Sequence, residues 1–356
     1  MIRTALVVVT YNGQGDIEHF LESLQKTHKQ DYRILIVVDN GSSDDTVPTV
    51  RRRAPDAHII SNRENMGYAF AANQGIRYCF EKGFEYVFLA NQDVLFEKDF
   101  LPSLVSAMES DPLIGAAQPL IMLDPERTLI NSCGNALHPA GFGYTRGYRK
   151  TLAQYHCERK EVAYCSGAAV LLRVAVLRRV GLFDEDFFMY HEDTDLCWRM
   201  RIAGFRCIVD PSSIVYHHYE FSRSIKKFFY MERNRVLMLL KNYSSASLCI
   251  FAPLILVWEG GIFFYSCVHS AIGKGTLTRK EKTRAYRSFF SKQIWVSLWK
   301  KRVAIQRSRI VPESAIVSLF DPVIQFQDID NPILRAIANP LTRCYFFFAR
   351  QIVRLF

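Results

Sequence analysis

Residues 1–240 predict an α/β domain, and residues 241–356 predict a separate helical module of hydrophobic and basic character. Three observations carry this division. Short β-branched runs alternate with helical stretches through the first hundred residues, which implies βαβ units around a parallel sheet. The chain has 356 residues, 49% hydrophobic and 22% charged, a composition that excludes a disordered chain or a small disulfide scaffold. The charge is also uneven: residues 1–240 hold 28 Lys and Arg against 29 Asp and Glu, whereas residues 241–356 hold 17 against 6. The whole formal excess of +10 therefore lies in the last third, which points to an anionic neighbour.

The strands of the first domain read as short apolar runs ending in turn residues, at 5–10, 33–39, 58–61 and 86–91. Helices are expected between them at 16–27, 44–53 and 68–82, with Ser42 or Ser43 in N-cap position before Asp44 and Asp45. Residues 112–220 carry shorter strands and more turns, with helices near 174–180 and 192–203. In the helical pattern at 222–242, Ile225, Phe228, Phe229, Val236, Leu239 and Leu240 share a face, with Lys226, Lys227, Arg233 and Arg235 elsewhere. Such a helix suits a membrane surface or packing on the domain.

Residues 246–272 are nearly all apolar and long enough to cross a bilayer. Pro253 and Glu259-Gly260-Gly261 interrupt them, and a charge at that depth costs roughly 2.5–3.5 kcal/mol on insertion scales. Residues 274–309 are dense in Lys and Arg and so prefer the cytosol. With both flanks on one side, a broken, re-entrant or interfacial hairpin is expected, or else a buried core helix. The opening residues have too short an apolar run for a signal peptide, so the first domain is expected in the cytosol. Nine cysteines without a CxxC pair or a zinc-spaced cluster suggest neither a disulfide framework nor a metal knot, and a reducing compartment is the default.

The chemistry-bearing residues sit at strand ends. The first strand ends in Thr10-Tyr11-Asn12 and leads into Gly13-Gln14-Gly15-Asp16-Ile17-Glu18. This resembles a dinucleotide fingerprint only superficially, because Glu18 stands where a small residue is required and would repel a pyrophosphate. A P-loop is absent. The second strand ends in Asp39-Asn40-Gly41-Ser42, a carboxylate and an amide at the sheet edge where open α/β folds bind ligands. Asp39 is suited to accept from the imide N–H of uracil or thymine; capping the turn is the other role open to it. Asn65-Met66-Gly67 precedes a helix in which small residues permit close approach, and Asn65 and Asn73 add amides. The fourth strand runs into Asn91-Gln92-Asp93, and a carboxylate there can hold a divalent cation that bridges to a diphosphate.

Taken in order, Val9-Thr10-Tyr11-Asn12, Asp39-Asn40-Gly41-Ser42, Asn65-Met66-Gly67 and Asn91-Gln92-Asp93 resemble the family 2 glycosyltransferases, and within them the rhamnosyltransferase-like group. The resemblance covers residues 3–240. It implies a GT-A fold, a Rossmann-like mixed sheet with helices on both faces. It also implies a nucleotide-diphosphate sugar donor, Mg²⁺ or Mn²⁺, and inversion at the anomeric carbon. The likeness continues through Cys165-Ser166-Gly167-Ala168-Ala169 and Phe187-Phe188-Met189-Tyr190-His191-Glu192-Asp193-Thr194-Asp195-Leu196.

By that pattern Asp193 matches the general base, Asp93 the metal ligand, and Thr10, Tyr11, Asn12, Asp39, Asn65, Gly67, Asn73, Asn91, Gln92 and Gly167 the donor-binding set. In Val215-Tyr216-His217-His218 a histidine can complete the metal and diphosphate site, and His217 matches better than His218. Asp195 is assigned to charge compensation at the helix start, with Arg199 four residues on. Asn91 replaces the first acid of the common Asp-x-Asp motif. The Gln-x-x-Arg-Trp signature of processive synthases is missing, which predicts addition of one or a few sugars.

The reading is an inverting transferase moving a sugar, plausibly rhamnose from dTDP-rhamnose, to a glycan or lipid-linked acceptor in cell-surface polysaccharide synthesis. The C-terminal module would dock on the anionic cytosolic face of the cell membrane, peripherally or as a re-entrant segment. The rivals are a same-fold enzyme using a UDP-hexose and a non-catalytic, membrane-bound scaffold or sugar-binding protein. Nucleic acid is not an expected partner, because the basic residues interleave with a long apolar stretch.

Overall fold

The computed structural model describes residues 3–219, 227–271, 276–324, 332 and 334–355. The first half of the chain runs β1 (Thr4–Thr10), α1 (Gln14–Gln25), β2 (Ile34–Asp39), α2 (Thr46–Arg53), β3 (His58–Ser61), α3 (Tyr68–Glu81), β4 (Tyr86–Asn91), β5 (Val94–Phe96), α4 (Phe100–Ser110) and β6 (Ile114–Leu123). Then come β7 (Ile130–Ser132), β8 (Asn135–Leu137), β9 (Gly143–Thr145), β10 (Lys160–Glu161), β11 (Ala169–Arg173), α5 (Val174–Val180), α6 (Glu192–Ile202) and β12 (Arg206–His217). The expected strands and helices of the first hundred residues all form. The α2 N-cap is Asp45 rather than Ser42 or Ser43.

Ten strands form one sheet in the order β10-β12-β6-β11-β4-β1-β2-β3, with β5 added to β12 and β7 to β6. The βαβ pattern of the first hundred residues gives the parallel strands β1–β4, and beyond them the sheet is mixed, as the family resemblance implied. There β11 lies antiparallel between β4 and β6, so the sheet is mixed. Antiparallel insertion matters for the site: residues just before β11 lie at the same edge as residues just after β4.

Strand alternation explains why helices cover both faces. Leu6 and Val8 of β1, with Val37 and Phe88, pack among Ile17, Phe20 and Leu21 of α1 and Phe100 and Leu104 of α4. Val7 and Val38 face α3 so closely that a Cβ on Gly75 would lie 2.5 Å from the Val7 side chain. Glycine is what permits α3 to seat on that face.

Contacts divide the chain into two compact units, Met1–Asn135, Thr145–Met200 and Phe205–Tyr219 against Ala136–Tyr144, Arg201–Gly204 and Glu220–Phe356. This division does not coincide with the sequence split at 240, because residues 227–240 belong to the second unit. That unit contains α7 (Phe228–Asn242), α8 (Ser245–Ala271), α9 (Thr276–Ser288), α10 (Lys292–Arg307), α11 (Glu313–Val317) and α12 (Asn339–Val353).

Two expectations about the second unit are corrected. The α7 helix is not a simple basic amphipath, because Arg235 and Glu232 are buried. Arg235 donates to Ala140 O at 2.9 Å and pairs with Glu232 and Glu259, while Lys282 pairs with the same two carboxylates. Burial opposes charge on Glu232, but Arg235 and Lys282 outweigh it and hold its carboxyl at about 2. Second, α8 is continuous through Pro253 and Glu259; the carboxylate that argued for a break is neutralised by the two cations. Ile225 and Lys226 of the predicted α7 face lie outside the described residues, as do Ile272 and residues 274–275.

The cysteines also depart from expectation. Cys133 and Cys157 form a disulfide with their Cα atoms 6.0 Å apart. The sulfurs of Cys165, Cys197 and Cys207 lie within 4.8 Å of one another, all buried. Long-range strand and helix packing creates both arrangements, and no local spacing announces them.

Candidate active site

Strands β1, β2 and β4 run parallel, so Thr10, Asp39 and Asn91 end at one edge of the sheet. The β12 strand pairs parallel with β6, and β5 pairs with β12 in a register that sets Val94 opposite His217. His217 and Asp93 thereby arrive at the same edge. Residues of the first unit alone build this site.

At the β1–β2 end, the buried Asp39 carboxylate accepts from Thr10 Oγ1 and from Ser42 N, both at 3.3 Å. Asn12, with a positive φ of 45°, accepts from Ser43 N at 2.9 Å while its own N–H donates to Ser42 Oγ at 2.9 Å. The Gln92 side chain accepts from Tyr11 N at 2.9 Å and fills the space where Gly13 lacks a Cβ. Tyr11 itself is exposed above this scaffold.

Asn40, to which the sequence reading gave no role of its own, ties this end to α3. Its amide donates to Asn65 Oδ1 at 3.0 Å and to Gly67 O at 3.1 Å, and its oxygen accepts from Met66 N at 3.1 Å. Gly67 has φ 89°, and a Cβ there would lie 2.6 Å from the Phe188 ring. Both the backbone conformation and the close approach require glycine. Asn73 is a correction: its amide donates to Phe183 O and Glu185 Oε1, both at 2.9 Å, and accepts from Phe183 N at 3.0 Å. Both amide hydrogens are used to hold the segment leading to residue 193, which leaves none for a donor sugar.

From Gly67 the chain of contacts continues to the acidic residues. Tyr68 donates to Gly167 O at 2.9 Å, and Gly167 N donates to Asp193 Oδ2 at 2.9 Å. Burial, followed by the charges of Glu192, Asp193 and Asp93, raises the Tyr68 hydroxyl well above its usual range, so it stays a donor. The Asn91 backbone N–H donates to Ala168 O at 2.9 Å, which pins the β4 end to the same glycine segment. The sequence reading missed Tyr68, since its partner lies 99 residues away.

Asp193 lies in the first turn of α6, and Thr194 N donates to its Oδ1 at 2.6 Å. Burial raises the Asp193 carboxyl above the ordinary range, while the N–H donors of Gly167 and Thr194 pull it down. Burial and the adjacent Asp193 charge push Glu192 up to about 8. Among the described residues Glu192 Oε2 finds no hydrogen-bond partner. Burial thus drives both carboxyls toward the protonated form, and the Asp193 charge adds to that drive on Glu192. Asp195 pairs with Arg199 at 2.9 Å, and both are buried, in line with its assignment to charge compensation.

A stability prediction follows from Glu192. A carboxyl whose folded value lies above its unfolded value makes the protein less stable as pH rises between the two. Wild-type Tm is expected to fall as pH climbs from the ordinary carboxylate range through about 8. Glu192→Gln should flatten that decline and melt higher than wild type above about pH 8. Calorimetry across that range checks it; parallel curves for the two proteins would refute it.

The Asp93 and His217 side chains meet with Oδ1 3.4 Å from Nε2. His217 Nδ1 lies 3.1 Å from Asn131 Oδ1. With the ring hydrogen on Nδ1, Nε2 turns a lone pair toward Asp93. Cis ligands of a Mg²⁺-sized cation bound at about 2.1 Å stand about 3 Å apart, so this oxygen and nitrogen fit a hard divalent ion with little adjustment. Asn131 is a second residue absent from the sequence reading, because only the β6–β7 pairing brings it to His217.

Comparison with known proteins agrees with this architecture. The model for glycosyl transferase family 2 matches residues 5–181. The N-acetylglucosaminyl-diphospho-decaprenol L-rhamnosyltransferase of Mycobacterium tuberculosis is 32% identical over 232 residues, covering 60% of this chain and 75% of that protein. The chain belongs to glycosyl transferase family 2. This family 2 enzyme is also 27% identical to the dTDP-rhamnosyl transferase RfbF of Shigella flexneri, over 75% of this chain and 86% of the relative. The relatives support the rhamnosyltransferase-like group within the family. A solved structure of GalNAc-T7 with UDP, GalNAc and Mn²⁺ aligns with TM-score 0.56 at 14% identity, covering 80% of this chain and 55% of that one. That likeness supports the GT-A-like fold.

Proposed function

We propose that this family 2 glycosyltransferase transfers rhamnose from dTDP-rhamnose, with inversion, to a hydroxyl of a glycan or lipid-linked acceptor in cell-surface glycan synthesis. The observation that carries the reading is the Asp193 carboxylate, held by Gly167 N at 2.9 Å at the sheet edge that also bears Asp93 and His217. The donor sugar is inferred from the printed activities of the two rhamnosyltransferase relatives. The mycobacterial relative's name further suggests a polyprenyl-diphosphate acceptor.

Asp39 and the Tyr11–Asn12 edge would receive the base and ribose. Asp93 and His217 would hold Mg²⁺ or Mn²⁺, which when bound offsets the charge of the departing diphosphate. Asp193 would take the acceptor proton as the new glycosidic bond forms on the face opposite the leaving group, and its raised pKa suits a base at neutral pH. The enzyme would work at the cytosolic face of the cell membrane, a reading supported by the basic, apolar last third.

The test is a panel of nucleotide sugars incubated with the purified protein and a polyprenyl-diphosphate-linked acceptor, read by nucleoside diphosphate release and product mass. Turnover with dTDP-rhamnose above the UDP-hexoses is expected. Preference for a UDP-hexose would replace the donor assignment, and release from no donor would defeat the catalytic reading.

A further inference from the structure

The α8 helix is long and apolar enough to cross a membrane by length and composition, yet its two sides differ. Ser247, Phe251, Leu254 and Ser266 point inward and are buried at helical spacing. On that side the Phe251 ring stacks with Phe346 of α12, Trp258 Nε1 donates to Thr342 Oγ1 at 3.2 Å, and Glu259 pairs with Arg235 and Lys282. On the other side Leu256, Val257 and Phe264 are each about 70% exposed, with Gly260 and Val268 on the same stripe. That stripe carries no charged residue.

The neighbour of α8 decides between crossing and lying flat. At the level of Glu259, α9 packs alongside through Lys282 and through Tyr286, whose hydroxyl donates to Glu259 at 2.8 Å. The α9 helix exposes Arg279, Lys280, Arg284 and Arg287. Carrying α8 across the hydrocarbon would drag those cations in with it, and each is costly near the centre. Lying in the interface immerses only the outer stripe and leaves the cations among headgroups, where each is attracted if the lipid is anionic.

We propose that the helical unit is a monotopic membrane anchor, seated in the plane of an anionic bilayer by the outer stripe of α8, with the cations of α9 contacting lipid headgroups. The partner is the lipid surface itself, chosen by charge complementarity: residues 241–356 hold 17 basic side chains against 6 acidic. The inference extends the lipid-linked acceptor reading and fails separately from it.

The experiment compares the full chain with the Val257→Ser/Phe264→Ser variant by flotation with phosphatidylcholine vesicles, with or without phosphatidylglycerol. Wild type should bind the anionic vesicles, more weakly as salt rises, and the variant should partition at least about tenfold less. In inverted cell-membrane vesicles, added protease should cleave the wild-type chain on both sides of α8. Donor hydrolysis without lipid should be equal in both proteins, which separates anchoring from catalysis. Three results would each overturn the proposal: unchanged partitioning of the variant, protection of one flank of α8 from protease as for a spanning protein, or loss of a dimer by the variant with vesicle binding intact.

Discussion

Asp193→Asn is expected to lower kcat for sugar transfer by roughly 10²–10⁴-fold while leaving donor affinity within a few-fold of wild type. The substitution keeps the volume and one oxygen for the Gly167 and Thr194 donors, which lie 2.9 Å and 2.6 Å from the native carboxylate. It removes the basic lone pair and the charge. An effect on kcat without an effect on donor binding separates a base from a residue that merely shapes the site. Single-turnover rates under saturating donor, with equilibrium titration of the nucleotide, provide the two readouts. A second signature is the pH profile. The wild-type rate should rise with pH through a value above that of an ordinary aspartate, since burial raises this carboxyl and only its ionised form accepts a proton. The residual rate of the Asn variant should lack that rise. If the variant retains normal turnover, or loses donor binding in proportion to rate, Asp193 is not the base.

Much of this site was legible because its residues are short-range features of strand ends. Thr10, Asp39 and Asn91 close apolar runs, and parallel pairing of β1, β2 and β4 obliges such ends to share an edge. The ordered motifs could be read without knowing any contact. What escaped was whatever depends on pairing between distant segments. Tyr68 acquires its place from Gly167, Asn131 from His217, and Asn40 from the turn at Asn65 and Gly67. Asn73 was misread for the same reason, since its partners at 183 and 185 are invisible to a local pattern.

The second unit shows the limit more sharply. Periodicity assigned Arg235 to a solvated or headgroup face because arginine is charged. Burial was possible only because Glu232, Glu259 and Lys282 converge on it from three helices. Removing one member of such a cluster strands an unpaired buried charge, so the cluster specifies how α7, α8 and α9 meet even where its net contribution to stability is small. Hydropathy alone could not foresee that Glu259 faces protein.

Asp93→Ala is expected to reduce kcat/KM by on the order of 10²–10³-fold, the loss that accompanies removal of a group stabilising charge on the reacting phosphates. The cause would be metal binding, and it can be read directly. Calorimetric titration of Mn²⁺ into protein saturated with nucleoside diphosphate should show a well-defined heat for wild type and little for Asp93→Ala. His217→Ala should be milder, since diphosphate oxygens and water can fill one lost position. Asn131→Ala touches no ligand directly. It removes the acceptor 3.1 Å from His217 Nδ1 that fixes which ring nitrogen carries the hydrogen. Loss of such an outer partner typically weakens metal affinity by about 10- to 100-fold, and raising the Mn²⁺ concentration should restore most of the rate. That rescue distinguishes a positioning role from a structural one, because a misfolded β7 would not recover with metal. Should Asp93→Ala bind Mn²⁺ as wild type does, the 3.4 Å approach of Asp93 to His217 would be an ordinary ion pair, and the cation would have to be held elsewhere or be dispensable.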